Sequence, residues 1–311
     1  MKNLFFILSL FLSLSMGDDH SLHFDGVDDY VEINNSIIPE SGDFSVSFWA
    51  NTNSLSSYYA EVVSQGVSGQ SAFYIGYDGN GLIRLSDHWQ NTGLSFPADG
   101  IWHYYTLVKS VSNTDFYIDG YLVASKGSAI GNPTATSFKI GRQSGGGEFF
   151  NGFIDDVHVW NLALTQEQIQ SYMTTPTTGN EEGIVAYWNM NEGEGNNPNY
   201  NLIDNSGNGY NGTIHGATWS TDIFTFGCTD SLGDNYNPDA NLDDGGCTYA
   251  ENGDYILLLD SSEDHLSVNN SESLNPGISD FTFMGWIKTE DDEGVIFGKT
   301  PGPWGGAAWY F

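Results

Sequence analysis

An all-β fold, a sandwich or barrel of antiparallel strands, is predicted for this chain by three observations. Aromatic residues make up 14% of the 311 and glycine supplies 38 of them, which suits many strands joined by tight turns. Apolar and polar residues alternate with a period of two over Phe44, Val46 and Phe48, and again from Trp102 to Lys109. Two apolar runs, Phe116 to Ile118 and Tyr121 to Val123, flank Asp119-Gly120, the strongest short-range hairpin signal.

The elements follow in chain order. Lys2 precedes an apolar stretch from Leu4 to Leu14, and the small residues Ser15 and Gly17 flank Met16. This pattern predicts a secretory signal peptide over 1–17, too short to span the ~30 Å of a bilayer's hydrocarbon core. Residues 18–178 read as one β module. Near its end Thr165 is a fit N-cap with Gln168 three positions on, a capping box, and Ile169 and Tyr172 give the helix its apolar stripe. Pro176 closes it.

Residues 179–222 are expected to be a leading or linker segment, with strands at Ile184 to Trp188 and Thr213 to Trp219. Residues 223–250 form a Cys-bounded, Asp/Asn-rich loop. Its cysteines, Cys228 and Cys247, are the only two in the chain, and in an exported protein they read as one disulfide. Closing a loop of that size contributes about 3 kcal/mol. The chain then repeats itself. Leu22 to Ser36 aligns with Leu257 to Ser271, Asp43 to Thr52 with Asp280 to Thr289, and Ser71 to Ile75 with Ala307 to Phe311. Residues 251–311 are therefore expected to be a second, truncated module of a longer protein.

A net charge of −32, with only 8 lysines and arginines, repels nucleic acid and anionic lipid, so no nucleic-acid partner and no membrane insertion are expected. The acidic residues are scattered and form no long block of a disordered tail.

Several stretches, in order, resemble the laminin-G-like jelly roll of the concanavalin A-like lectin/glucanase superfamily. They are Phe24 to Val31, Phe44 to Trp49, Trp102-His103, Phe116 to Val123, Ile140 to Arg142 and Asn151 to Trp160, with Leu164-Thr165 opening the helix. The resemblance implies an all-β, antiparallel jelly-roll sandwich, complete over the first module. Ile184 to Gly195, Asp204 to Gly209 and Trp219 look like a leading segment found before such modules. The Cys loop is similar to a short repeat of secreted multidomain bacterial proteins.

The superfamily includes glycoside hydrolases, whose chemistry needs a carboxylate pair. The Glu-x-Asp-x-x-Glu spacing of its family-16 type is absent; Glu192 and Glu194 come nearest, but in a glycine-rich stretch. No Gly-x-Ser-x-Gly or His-Glu-x-x-His occurs, and His103 and His158 fall in strand patterns. No catalytic residue is expected.

Calcium suits the sequence better, since it takes six to eight hard oxygens. Asp25 and Asp28 lie in a tight turn with Asp29 and Gly26. Asp155 and Asp156 separate Ile154 from Val157, whose opposite strand parity predicts a bulge. In the family fold the first and last strands are neighbours, so the resemblance implies that Asp25, Asp28, Asp155 and Asp156 meet around a structural Ca²⁺. The alternative is that these acids bond turn amides. Asp239, Asn241 and Asp243 mimic the start of an EF-hand, but Gly245 and the missing acid at position 12 exclude one.

Sugar rings stack on exposed aromatics and are gripped by amides, which makes Tyr58, Tyr59, Trp89 and Asn91, all in predicted loops, the candidate ligand residues. Trp49, Trp102 and Trp160 are expected in the core. The expected function is a secreted or cell-surface, non-catalytic binding protein, for adhesion or carbohydrate recognition, whose partner is a polysaccharide or glycoprotein surface. The alternative functions are targeting appendage of a larger secreted hydrolase and structural spacer.

Overall fold

The computed structural model describes residues 19–249, apart from 57, 68, 70 and 194–200, together with 298–299 and 309–310. The expected signal peptide and most of the expected second module lie outside the described residues. In that second unit Gly298–Lys299 pairs antiparallel with Trp309–Tyr310. Among the described residues no helix is long and apolar enough to cross a membrane.

The first unit is an antiparallel two-sheet sandwich. Its strands are β1 (Ser21–Asp25), β2 (Tyr30–Ile33), β3 (Phe44–Asn51), β4 (Ala60–Gln65), β5 (Phe73–Tyr77), β6 (Ile83–Arg84), β7 (His103–Lys109), β8 (Thr114–Ile118), β9 (Tyr121–Ser125), β10 (Phe138–Ile140) and β11 (Asn151–Trp160). After helix α1 (Gln166–Thr174) come β12 (Ile184–Trp188), β13 (Asn201–Leu202), β14 (Gly212–His215) and β15 (Thr218–Ser220). One sheet runs β15-β1-β11-β3-β7-β8-β9, with β12 also on β11; the other runs β13-β14-β2-β10-β4-β5-β6.

Strand periodicity sorts the side chains of the second sheet into lines. Ile214, Val31, Ile140, Val63 and Ile75 are register partners in turn, and all are buried in the main core. The next line over, Thr213, Glu32, Lys139, Ser64 and Tyr74, therefore takes the opposite, outer face. The first sheet meets this core with Leu22, Val46, Phe48, Leu107, Phe116, Ile154 and Val159.

The sequence's local signals are realised. Asp119 and Gly120 both have positive φ, 52° and 74°, as a type I′ hairpin turn requires. Thr165 and Gln168 make the reciprocal capping box. The β11 register on β3 shifts between Asp155 and His158, the expected bulge, and Asp156 sits at φ 48°. Cys228 and Cys247 are disulfide-bonded.

The expected segment 179–222 is no linker between modules. β12 pairs with β11, β14 with β2, and β15 with β1, so the segment extends both sheets of the first sandwich. The reason is edge satisfaction: without β14 and β15, β2 and β1 would expose unpaired backbone. The three tryptophans expected in the core are together in a second cluster. Trp49, Trp102 and Trp160 are buried, but on the outer face of the first sheet, under α1 and under Phe224 and Phe226 of the Cys-loop segment. Trp49 stacks on Phe224 at 4.4 Å, and the Trp102 indole N–H donates to Asp222 at 3.1 Å.

Candidate functional site on the outer face of the second sheet

β6 ends on Arg84, which points to the outer face with its register partner Gly76 leaving room beside it. The guanidinium lies 4.4 Å from the centre of the Tyr59 ring and 4.5 Å from that of Tyr74. Its Nη1 donates to Glu148 Oε2 at 3.1 Å. Cation–π contact on two rings plus an ion pair fixes the guanidinium, which is only 7% exposed. Beneath it lies Glu61, 0% exposed, with neither carboxylate oxygen hydrogen-bonded. Burial first, and then the charge of Glu148, push the Glu61 carboxyl well above the usual carboxylate range against the pull of Arg84.

The segment from Arg142 to Glu148 links this cluster to a second. Arg142 lies 4.0 Å from the centre of the Tyr30 ring and 5.8 Å from that of Phe149. Tyr30 in turn stacks on His215 at 4.3 Å. Lys139 pairs with Glu32, whose carboxyl is held low chiefly by that lysine. An aromatic and charged ridge in two parts results: Tyr59, Arg84 and Glu148 form one, and Arg142, Tyr30 and His215 the other, joined by the chain from 142 to 148.

Of the expected ligand residues, Tyr58 and Tyr59 stand at one end of this ridge, 64% and 40% exposed, with ring centres 5.4 Å apart. Trp89 does not join them; it packs half-buried on the main core, and its carbonyl accepts from Leu85 N–H at 2.8 Å. Asn91 closes a turn, its Oδ1 accepting from Gly93 N–H at 2.7 Å. Arg84, Glu61, Arg142 and Tyr30 were not expected. The signal for them was composition: only two arginines occur in the whole chain, and both lie here.

A laminin G type family model, described as concanavalin A-like lectin/glucanases superfamily, matches residues 25–170. A candidate carbohydrate-binding protein of Bacteroides ovatus shares the fold, with a TM-score of 0.54 at 19% identity over 67% of this chain; the chain spans 61% of that protein's length. Also similar are a heptameric pentraxin from Limulus polyphemus (TM-score 0.42, 16% identity, 65% of this chain and 95% of that one) and domain 4 of an extracellular arabinanase from Geobacillus stearothermophilus in complex with arabinotriose (0.40, 20%, 49% and 75%).

The acids expected to share one ion fall into two groups of this concanavalin A-like module. β1 and β11 are neighbours, as the family fold implies, but Asp25 faces Asn151 while Leu22 faces Ile154. Asp155 is thus four residues further along β11, roughly 13 Å at ~3.3 Å per residue. Asp25, Asp28 and Asp29 offer ligand oxygens within 4.8 Å of one another. Asp25 Oδ1 already accepts from Val27 N–H at 2.8 Å, and Asp29 Oδ2 from Asp25 N–H at 2.9 Å, the turn-amide alternative.

The other group differs. Asp155 is 2% exposed, and burial, then Asp156, Asp19 and Glu192, push its carboxyl well up; no lysine or arginine is among the charges acting on it. Its Oδ1 accepts from Asp156 N–H at 2.8 Å, and Asp156 Oδ1 from the Tyr187 hydroxyl at 2.8 Å. Glu192 Oε2 is buried without a hydrogen-bond partner. These carboxylates raise one another's pKa, but among the described residues only Asp25, Asp28 and Asp29 bring their oxygens together as a cation requires. In the Cys loop these side chains are spent on turns: Asn241 on Thr225 N–H and the Ile223 carbonyl, and Asp243 on Gly245 N–H.

Proposed function

We propose that this chain is a non-catalytic carbohydrate-binding protein of the cell exterior, which recognises polysaccharide or glycoprotein glycans through the outer face of its second sheet. The observation that carries this reading is the pair of exposed tyrosines, Tyr58 and Tyr59, set beside a guanidinium already immobilised by two rings and a carboxylate. Exposed rings stack on sugar faces, and fixed polar groups grip hydroxyls without a large ordering cost. The fold shared with the Bacteroides ovatus protein supports it.

Binding is favoured over hydrolysis by the one carboxyl pair on this face. Glu61 has the raised pKa of a general acid, but at 0% exposure it cannot reach a glycosidic oxygen. The apolar stretch after Lys2 and the disulfide support export. A structural Ca²⁺ belongs to the same reading, with the turn of Asp25, Asp28 and Asp29, whose carboxylate oxygens converge, as its place. Affinity electrophoresis of the full chain through gels cast with neutral and acidic polysaccharides tests it. Retardation by at least one polymer, lost in Y58A/Y59A, is expected; free migration through all of them refutes carbohydrate recognition.

A further inference from the structure

Arg142 and Arg84 are the only arginines in a chain of net charge −32, and they hold different positions on one face. Arg84 is buried and its charge is taken by Glu148. Arg142 is half-buried, and among the described residues no carboxylate forms an ion pair with it. Of its five N–H donors, Nε reaches the Gln143 carbonyl at 3.3 Å. Glu32, whose carboxyl feels the Arg142 charge, is already bonded to Lys139 and has His215 Nε2 at 3.9 Å.

The guanidinium is also positioned. Tyr30 lies under it, itself backed by His215, and Phe149 flanks it. A planar fork so held loses little freedom when it takes two oxygens of one anion. The chain's net charge of −32 opposes an anion, so the contact must come from these fixed donors at short range.

We propose that Arg142 anchors an anionic substituent, a uronate carboxylate or a sulfate ester, of the glycan bound on this face, so that acidic rather than neutral sugars are its ligands. This rests on the carbohydrate-binding reading above and specifies its substrate class. Tyr58 and Tyr59 supply ring contact at the other end of the ridge.

The experiment is calorimetric titration of the full chain at about 0.15 M salt with trigalacturonate, neutral galactotriose and a sulfated galactotriose. Wild type binds at least one anionic sugar about tenfold or more tightly than galactotriose, as a charge-assisted pair predicts. R142M removes that preference with its unfolding midpoint unchanged, and R142K restores part of it. The anion preferred separates carboxylate from sulfate as the natural group. Undiminished anionic binding by R142M, or equal binding of the neutral sugar by wild type, overturns the assignment. If neutral sugars bind, and Y58A/Y59A weakens them while R142M does not, carbohydrate recognition stands and only the acidic class falls. Binding of no sugar removes both.

Discussion

Glu61 lies buried beside Glu148, and the two carboxyl groups have one guanidinium, that of Arg84, between them. Glu148 holds the ion pair, so Glu61 escapes repulsion by keeping its proton. Such a group makes stability depend on pH in a definite sense. Below the ordinary glutamate pKa both folded and unfolded chains carry the proton. As pH rises, the unfolded chain releases it first while the folded chain retains it, so stability falls until the raised folded pKa is passed. Wild type should lose about 1.4 kcal/mol per pH unit through that window, relative to E61Q. Urea unfolding of both proteins from pH 4 upward measures the difference. Parallel curves mean that Glu61 titrates normally.

What the sequence showed and what it hid divide along locality. The Asp119-Gly120 turn, the Thr165 capping box and the Asp155–Asp156 bulge are each specified by a few adjacent residues, and each is present. Two of the three strand pairs that build 179–222 into the sandwich join residues far apart in the chain, as Val31 with Ile214 and Leu22 with Trp219, and no local pattern records such partners. The same holds for the ridge. Tyr58 and Tyr59 were visible as loop aromatics, but Arg84, Arg142 and Tyr30 come from three separated strands or turns and meet only through sheet register. Trp89 packs half-buried on the core, since an aromatic in a loop serves as well to cap a core as to meet a ligand.

Calcium should raise the unfolding midpoint of the chelated full chain. A ligand present at 100 times its Kd stabilises the native state by about 2.7 kcal/mol, which is about 5–10 °C for a domain of this size. D25N should abolish the increment, while D155N should leave it. The reverse pattern would place the ion at Asp155 and Asp156. No increment in wild type would leave both acidic groups as ordinary structure.

The last prediction concerns the Cys-bounded segment. Phe224 stacks on Trp49, Phe226 meets the same ring edge-on at 5.7 Å, and Asp222 holds the Trp102 indole. These contacts close the outer face of the first sheet next to α1, where Trp49 and Trp102 would otherwise meet water. The segment is therefore part of the module's own cover, tied off by Cys228–Cys247. F224A should lower stability by about 2 kcal/mol, less than for a fully buried phenylalanine because this one is half-buried. Reduction of the disulfide should add to that loss only so far as the loop unfolds together with the sandwich. Tryptophan fluorescence follows both, since the indoles that become exposed are the ones covered. If the segment folded on its own, F224A would leave the main transition and its fluorescence change untouched.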